Sequence, residues 1–385
     1  MYAHVTAQSD AQKDARQSSV EIPNEIEAFP QSCALELAAE PPVTPVPACR
    51  TASLSGPADM LGPTRQTTVH GTTIAWTEMG EGEPLVLLHG MGDSHRTWRQ
   101  SAHHLAQDFR VLMPDLPGHG LSGRPDAPYT LAWYAQSVLD WMSAVGVESA
   151  HVCGHSFGGG IAQWMLLCDA SRVRSLALVA AGGLGREVAF GLRLAAIPGL
   201  GPLLTPHFMA FGTRAMMQQA AQESGDLDPD EIDRAVWMNK APGTGRAFQR
   251  TVKECVDLLG QHAQTWAHID RVEHLPPIAL FWGMKDRTIP VRHCHLGARR
   301  LHNVRVFTYP EIGHFLHLEN GAGFAGDLVA FLRQPGPSAT LRQPRSSGLP
   351  GLHDVPSRIA DAVALTARRA MHAWYSPSAE GSKAS

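Results

Sequence analysis

The chain has 385 residues, of which 44% are apolar, so it is long enough and apolar enough to bury a large hydrophobic core. Its 32 basic and 36 acidic residues give a net charge of −4, which leaves no surplus of positive charge and argues against a nucleic-acid partner. Six cysteines without a CxxC pair argue against a disulfide scaffold and a structural zinc site, and indicate reduced thiols.

The first part of the chain is predicted to be a tail. Residues 1–64 carry many prolines and only two aromatic side chains, which is typical of disorder. We hypothesise that Met60, near its end, is the true start of translation. No signal peptide is predicted, so a cytoplasmic location is expected. The most apolar window, residues 188–211, is broken by three prolines, which argues against a membrane-spanning helix and a membrane partner.

From Arg65 onward, strand-like runs alternate with helical stretches, the pattern of a mostly parallel sheet covered by helices on both faces. The central runs are continuously apolar, as expected for strands buried on both sides. Strands are predicted at residues 66–70, 72–79, 84–89, 109–115, 150–154, 173–181, 277–282 and 304–309. Helices are predicted at residues 96–107, 131–145, 156–168, 291–301 and 320–332.

Two further segments interrupt or follow this pattern. About ninety residues without strand signals separate the sixth and seventh predicted strands, and we interpret residues 183–275 as an inserted helical lid; Asp228, Pro229 and Glu231 there are typical of a helix start. After the core segments 65–182 and 276–333, residues 334–385 are predicted to form a Pro/Ser-rich linker and an amphipathic helix at 357–375. This helix is expected to dock on the domain or on a second subunit, making a homo-oligomer; the alternative is contact of its arginines with anionic lipid.

The pentapeptide GHSFG, residues 154–158, is the sharpest motif in the chain. It follows an apolar strand and opens a helical run, and so sharp a turn needs Gly154 and Gly158 on either side of the serine. Ser156 would then project above the edge of the sheet as a nucleophile. The alternative is a serine that caps the helix.

A serine nucleophile needs a base within hydrogen-bond reach and a carboxylate that orients the base. Asp286 comes directly after the seventh predicted strand and His314 directly after the eighth. The carboxyl ends of parallel strands meet at one edge of the sheet, where sites of open α/β sheets are built. The order Ser156, Asp286, His314 is also that of a known hydrolase arrangement.

A fourth element, His89-Gly90-Met91-Gly92, follows the third predicted strand. A turn here would direct the backbone N–H of Met91 to the same point as that of Phe157, giving two donors for the negative oxygen of a tetrahedral intermediate. His89 itself is interpreted as a residue that holds the turn together with Gly90.

These motifs resemble the α/β-hydrolase superfamily over about residues 65–332. The resemblance implies an α/β fold with an eight-stranded sheet and a helical lid after the sixth strand, Ser156 as nucleophile, His314 as base, Asp286 as orienting acid, and neither metal nor other cofactor. The motifs that carry it, in the family's order, are His89-Gly90, Asp115-Leu116-Pro117-Gly118-His119-Gly120, the serine turn, Trp282-Gly283 with Asp286, and Gly313-His314.

Several reactions remain open on these residues. The expected substrate is a small apolar ester, because the window 188–211 contains only Arg193 and His207 as ionisable groups. Gly182-Gly183-Leu184-Gly185 resembles the carbon–carbon bond hydrolases that cleave ring-fission diketones, so a ketone substrate is the alternative. Acyl transfer or perhydrolysis would use the same residues, and a non-catalytic ligand-binding protein is the alternative of another class. His293-Cys294-His295 is interpreted as packing or surface rather than as metal ligands.

Overall fold

The computed structural model describes residues 61–197, 211–215, 218 and 229–342. The proposed start at Met60, the helix-start residue Asp228 and the amphipathic helix at 357–375 lie outside these residues. No helix within the described residues is long and apolar enough to cross a membrane.

An eight-stranded, mostly parallel sheet organises the molecule, as predicted. Its spatial order is β1-β2-β4-β3-β5-β6-β7-β8, and only β2 runs antiparallel to its neighbours β1 and β4. The strands are β1 (Arg65–Val69), β2 (Thr72–Met79), β3 (Glu83–Leu88), β4 (Phe109–Pro114), β5 (Ala150–His155), β6 (Val173–Val179), β7 (Ile278–Gly283) and β8 (Val304–Tyr309).

Helices cover both faces of this sheet. Successive residues of a strand point to opposite faces, so Val86 and Leu88 pack with one helix layer and Leu85 and Leu87 with the other. The first layer contains α2 and α3, and the second contains α1 and α9. The helices are α1 (Ala102–Leu105), α2 (Leu131–Ala144), α3 (Phe157–Asp169), α4 (Phe190–Ala195), α5 (Pro229–Asn239), α6 (Thr244–Cys255), α7 (Arg292–Arg300), α8 (Leu316–Glu319) and α9 (Gly321–Arg333).

One predicted helix was wrong, and the inserted segment contains more than helices. The single helix predicted at 96–107 is a 3₁₀ turn (His95–Trp98) followed by the short helix α1. Between them the Trp98 carbonyl accepts from both the N–H (3.0 Å) and the hydroxyl (3.2 Å) of Ser101. The segment between β6 and β7 is not purely helical, since Val256–Asp257 pairs antiparallel with Gly260–Gln261.

The boundaries of both tails also need correction. Leu61, assigned to the disordered tail, is buried to 1% exposure among core residues, so the packed part of the chain includes it. Thr340–Leu341, assigned to the linker, forms a two-residue antiparallel ladder with Leu301–His302. Short ladders of this kind give no periodic signal in the sequence.

The segment between β6 and β7 (residues 183–275, called the insertion below) is anchored to the core by polar contacts. The hydroxyl of Thr251 on α6 hydrogen bonds the Tyr134 hydroxyl on α2 at 2.9 Å. Arg124, in the loop after β4, donates to the Thr244 hydroxyl at 2.7 Å. Arg250 donates to the Ala127 carbonyl at 2.7 Å.

Candidate active site

Ser156 lies on a strained turn between β5 and α3. Its backbone has φ 52° and ψ −116°, a positive φ that non-glycine residues rarely adopt. The turn is held because the Ser156 N–H donates to the Val179 carbonyl (2.9 Å) and its carbonyl accepts from the Gly182 N–H (2.9 Å). The Ser156 side chain makes no capping hydrogen bond to α3, which argues against the capping alternative. Its hydroxyl remains available at a half-buried position.

The structure brings His314 and Asp286 together at the ends of neighbouring strands β8 and β7. His314 Nδ1 donates to Asp286 Oδ2 at 2.8 Å, and both side chains are almost fully buried. The other carboxylate oxygen, Oδ1, accepts from the N–H groups of Thr288 and Ile289, each at 2.8 Å. These bonds fix the carboxylate and orient the His314 ring with Nε2 on the side away from Asp286.

His155 connects the serine turn with the His314 loop. Its Nε2 donates to the His314 carbonyl at 3.1 Å, and the two rings lie 4.8 Å apart. The Gly90 turn lies against the same place, because a Cβ added to Gly90 would be 3.1 Å from His155 Nδ1 and 3.4 Å from Ser156 Cβ. The four predicted segments therefore converge at one edge of the sheet.

The turn after β3 holds the predicted oxyanion donor Met91 in a defined orientation. His89 Nδ1 donates to the Gly90 carbonyl at 2.8 Å, and His89 Nε2 accepts from the Leu116 N–H at 2.9 Å. In a trans peptide the N–H points opposite to the C=O, so fixing the Gly90 carbonyl also fixes the direction of the Met91 N–H. Burial lowers the pKa of His89, which keeps the ring in the neutral form that these two bonds require.

The second predicted donor, Phe157, is the first residue of α3. The first N–H groups of a helix have no partner within it, and they carry the positive end of the helix dipole. Gly158 allows this helix start to approach β3, because a Cβ added there would lie 2.6 Å from the His89 carbonyl oxygen. The helix N-terminus and the Gly90 turn are therefore neighbours.

Residues 83–203 match a protein family that is described as "alpha/beta hydrolase fold". An uncharacterized protein of Mycobacterium tuberculosis is 33% identical over 284 residues, which cover 71% of this chain and 82% of that protein. The dihydrolipoyllysine-residue acetyltransferase component of the acetoin cleaving system of Pseudomonas putida is 30% identical over 277 residues, 69% of this chain and 68% of that one. The chain belongs to the α/β hydrolase family.

Two further similarities concern carbon–carbon bond hydrolases. The 2-hydroxymuconate semialdehyde hydrolase of Pseudomonas sp. is 27% identical over 264 residues, 66% of this chain and 89% of that enzyme. The solved structure of a meta-cleavage product hydrolase from Pseudomonas fluorescens matches 72% of this chain and 99% of its own, with TM-score 0.58 and 22% identity. The latter similarity shows the shared fold.

Sequence reasoning missed two buried histidines, His155 and His317, that lie beside His314 in this α/β hydrolase. His317 lies on α8, and its Nε2 pairs with the Thr97 hydroxyl at 2.8 Å. Its ring is 4.3 Å from that of His155. Burial, followed by the neighbouring histidines, lowers the pKa of both rings well below the ordinary value, so both are neutral beside His314. The sequence did offer a signal for them, because His155 directly precedes Ser156 and His317 follows His314 by three residues.

Asp115 and His95 form a second polar centre that shapes the loop after β4. The Asp115 carboxylate accepts from the His95 backbone N–H (2.7 Å), the His95 ring (2.8 Å) and the Leu121 N–H (2.7 Å). Burial opposes ionisation, but the His95 contacts outweigh it and lower the pKa of Asp115 to about 2. This loop carries His119, whose ring stacks at 6.3 Å on Phe157.

The His293-Cys294-His295 segment does not form a metal site. His293 is buried and its Nε2 bonds Glu187 Oε2 at 2.6 Å, whereas His295 is exposed. Within the described ranges, no group of three or more His, Cys, Asp or Glu side chains could hold a metal ion. The interpretation of this segment as packing and surface agrees with these contacts.

Proposed function

We propose that this α/β hydrolase is a serine esterase in which His314 removes the proton of Ser156 and Asp286 orients His314. The observation that carries the proposal is the 2.8 Å bond from His314 Nδ1 to Asp286, which directs the lone pair of Nε2 away from the acid. The strained, uncapped Ser156 beside the Gly90 turn supports it. The hydrogen bond between Ser156 and His314 is part of the proposal.

The reaction would proceed through an acyl-enzyme. The Ser156 oxygen attacks the ester carbonyl carbon while its proton moves to His314 Nε2, and the N–H groups of Met91 and Phe157 bind the negative oxygen. Collapse of the intermediate breaks the bond to the leaving alcohol, which takes the proton from His314. Water, deprotonated by His314, then cleaves the acyl-enzyme, and Ser156 recovers its proton.

The insertion is proposed to act as the lid over this site and to favour apolar substrates. Arg193 on α4 donates to the carbonyl of Leu258, another residue of the insertion, at 2.8 Å. Its guanidinium group is therefore already hydrogen-bonded within the insertion. A charged acid would need an unpaired cation beside it, and Arg193 does not supply one. Esters of medium-length, uncharged acids are the proposed substrates, and cleavage of p-nitrophenyl esters from acetate to decanoate tests this choice; a preference for acetate would contradict it.

Carbon–carbon bond hydrolysis of a ring-fission diketone is the second candidate. The 27% identity to 2-hydroxymuconate semialdehyde hydrolase, over 89% of that enzyme, is the observation that favours it. Such substrates are coloured, so their cleavage by the purified protein would bleach the solution. Bleaching that is faster than ester cleavage would favour this candidate over the esterase.

Acyl transfer is a variant of the same chemistry, supported by the similarity to the acetyltransferase component. Replacing water by an added alcohol or thiol, or by hydrogen peroxide for perhydrolysis, would reveal it as transfer product. Reaction with a fluorophosphonate probe tests the shared step, because only an activated serine is labelled. Labelling that persists in Ser156→Ala would reject the nucleophile, and a wild-type protein that resists the probe would favour a non-catalytic ligand-binding protein.

A further inference from the structure

One side chain of the insertion reaches the turn that carries Met91. Asn239, the last residue of α5, donates from Nδ2 to the Gly92 carbonyl at 2.6 Å. The same Nδ2 donates to the Thr213 hydroxyl at 2.9 Å. Asn239 and Thr213 are 4% and 5% exposed, so these bonds form away from water. A single amide therefore joins two segments of the insertion to the turn after β3.

The orientation of the Asn239 amide follows from its partners. The Gly92 carbonyl can only accept, so the NH₂ group and not the amide oxygen must face it. Both N–H bonds are then used, one by Gly92 and one by Thr213. The amide oxygen is buried and has no hydrogen-bond partner among the described residues. Turning the amide over would place this oxygen against the Gly92 carbonyl, where neither oxygen could donate.

The backbone of this turn has little side-chain packing of its own to hold it. Gly90 and Gly92 both lack a side chain, Gly92 has φ 73°, and a Cβ added to Gly92 would meet nothing within 4 Å. The core holds one end, where the Gly90 carbonyl accepts from His89 (2.8 Å) and from the Asp93 N–H (3.3 Å). Asn239 holds the other end through the Gly92 carbonyl.

We propose that Asn239 is a positioning residue, which couples the seating of the insertion to the orientation of the Met91 N–H. The proposal rests on the proposed serine hydrolase function. When Asn239 is lost, the Gly92 carbonyl lacks its donor and the peptide between Gly92 and Asp93 can rotate. Rotation of this peptide also moves the Asp93 N–H that donates to the Gly90 carbonyl, and so weakens the hold on the peptide that carries the Met91 N–H. The donor would then be misplaced for the oxyanion, while the surfaces that bind the ground-state substrate are unchanged.

The test compares Asn239→Leu with a matched control, Thr244→Val. Leucine has nearly the shape of asparagine but no donor. Thr244 is also a buried polar residue of the insertion bonded to the core, through Arg124, yet it does not contact the turn after β3. We expect Asn239→Leu to lower kcat by about 10- to 100-fold, part of the loss expected when an oxyanion donor is removed, with KM changed by less than about threefold. Thr244→Val should leave kcat within about threefold of the wild type.

A second readout separates positioning from general loosening of the fold. A boronic acid binds Ser156 as a tetrahedral adduct and uses the oxyanion donors. Its inhibition constant should therefore rise in Asn239→Leu by about the same factor by which kcat falls. Asn239→Ala leaves space for a water molecule that can donate to the Gly92 carbonyl, and should lose less activity than the leucine variant; it also replaces that variant if leucine prevents folding.

Three outcomes would overturn the proposal: unchanged kcat in both Asn239 variants, equal losses in Asn239→Leu and Thr244→Val, or a loss confined to KM. Failure of the proposed function gives a different result. In that case the wild-type protein itself would neither cleave p-nitrophenyl esters nor react with a fluorophosphonate.

Discussion

Asp286→Asn tests the proposed relay with almost no change of shape. Oδ1 of Asp286 accepts from the N–H groups of Thr288 and Ile289, and Oδ2 accepts from His314 Nδ1, all at 2.8 Å. An asparagine keeps its oxygen toward the two backbone donors, so its NH₂ group faces His314. The ring must then accept at Nδ1 and carry its proton on Nε2, the tautomer that cannot take a proton from Ser156.

The size of the effect follows from the cost of reversing the amide. Reversal would leave two buried N–H donors unpaired, at about 1–3 kcal/mol each, or about 2–6 kcal/mol together. Since about 1.4 kcal/mol is a factor of ten, the productive tautomer becomes about 30- to 10⁴-fold rarer. The imidazolium formed in the transition state also loses its carboxylate partner. We therefore expect kcat to fall by about 10³- to 10⁴-fold, as is typical when the orienting acid of such a relay is replaced by its amide.

The assay measures kcat and KM for a p-nitrophenyl ester together with the rate of fluorophosphonate labelling. Glu187→Gln is the matched control, because Glu187 also pairs with a histidine, His293 (2.6 Å), and with Arg292 (2.9 Å), in a pair that the proposed reaction does not use. The control should retain kcat. A decrease of less than tenfold in Asp286→Asn, with unchanged thermal stability, would refute the assignment of Asp286 as the orienting acid.

Other predictions concern the strained turn, the glycines and pH. Ser156→Gly and Ser156→Ala should both lack activity, but the glycine variant should be about 1 kcal/mol more stable in urea because it relieves the positive φ; equal stabilities would contradict the strain. Gly158→Ala should lower Tm strongly, because the added Cβ would overlap the end of β3. Gly326→Ala on α9 should raise the free energy of unfolding by about 0.5–1 kcal/mol, because its Cβ would meet nothing within 4 Å. A Gly158→Ala variant more stable than Gly326→Ala would refute the packing. Burial lowers the pKa of His119 from 6.5 to about 3, so below about pH 6.5 the unfolded chain binds a proton that the folded protein does not. The free energy of unfolding should therefore fall by about 1.4 kcal/mol per pH unit from this residue as the pH drops toward 3, and His119→Gln should remove that part of the slope in urea titrations between pH 7.5 and 5; an unchanged slope would contradict the buried neutral ring.

The strands, and the meeting of Asp286 with His314, could be predicted because their signals are local. A strand buried on both faces must be apolar at every position, and β3 with its run Leu85–Leu88 shows this in the structure. Once parallel strands are placed, their carboxyl ends must meet at one edge, which brings Asp286 and His314 within 2.8 Å of each other. The position of these groups thus follows from the chain order and the sheet.

The features that escaped prediction depend on contacts between distant segments. At the break in the first predicted helix, the N–H and the hydroxyl of Ser101 both donate to the Trp98 carbonyl, in place of the N–H four residues on that an α-helix would use. Leu61 is buried by packing against elements far along the chain. The contact of Asn239 with Gly92 joins residues 147 positions apart and has no periodic pattern in either segment. Such side-chain bonds become visible only after the insertion is placed on the core.

Two side chains from different parts of the molecule hold the turn after β3, and one of them lies in the segment that is proposed to select the substrate. His89 belongs to the core and fixes the peptide before Met91, while Asn239 belongs to the insertion and fixes the peptide after Gly92. If the insertion selects the substrate, as proposed, its sequence cannot vary freely, because it must keep a donor within reach of the Gly92 carbonyl. Replacing residues 183–275 by the corresponding segment of a related hydrolase should therefore change specificity without loss of kcat only when that segment supplies such a donor.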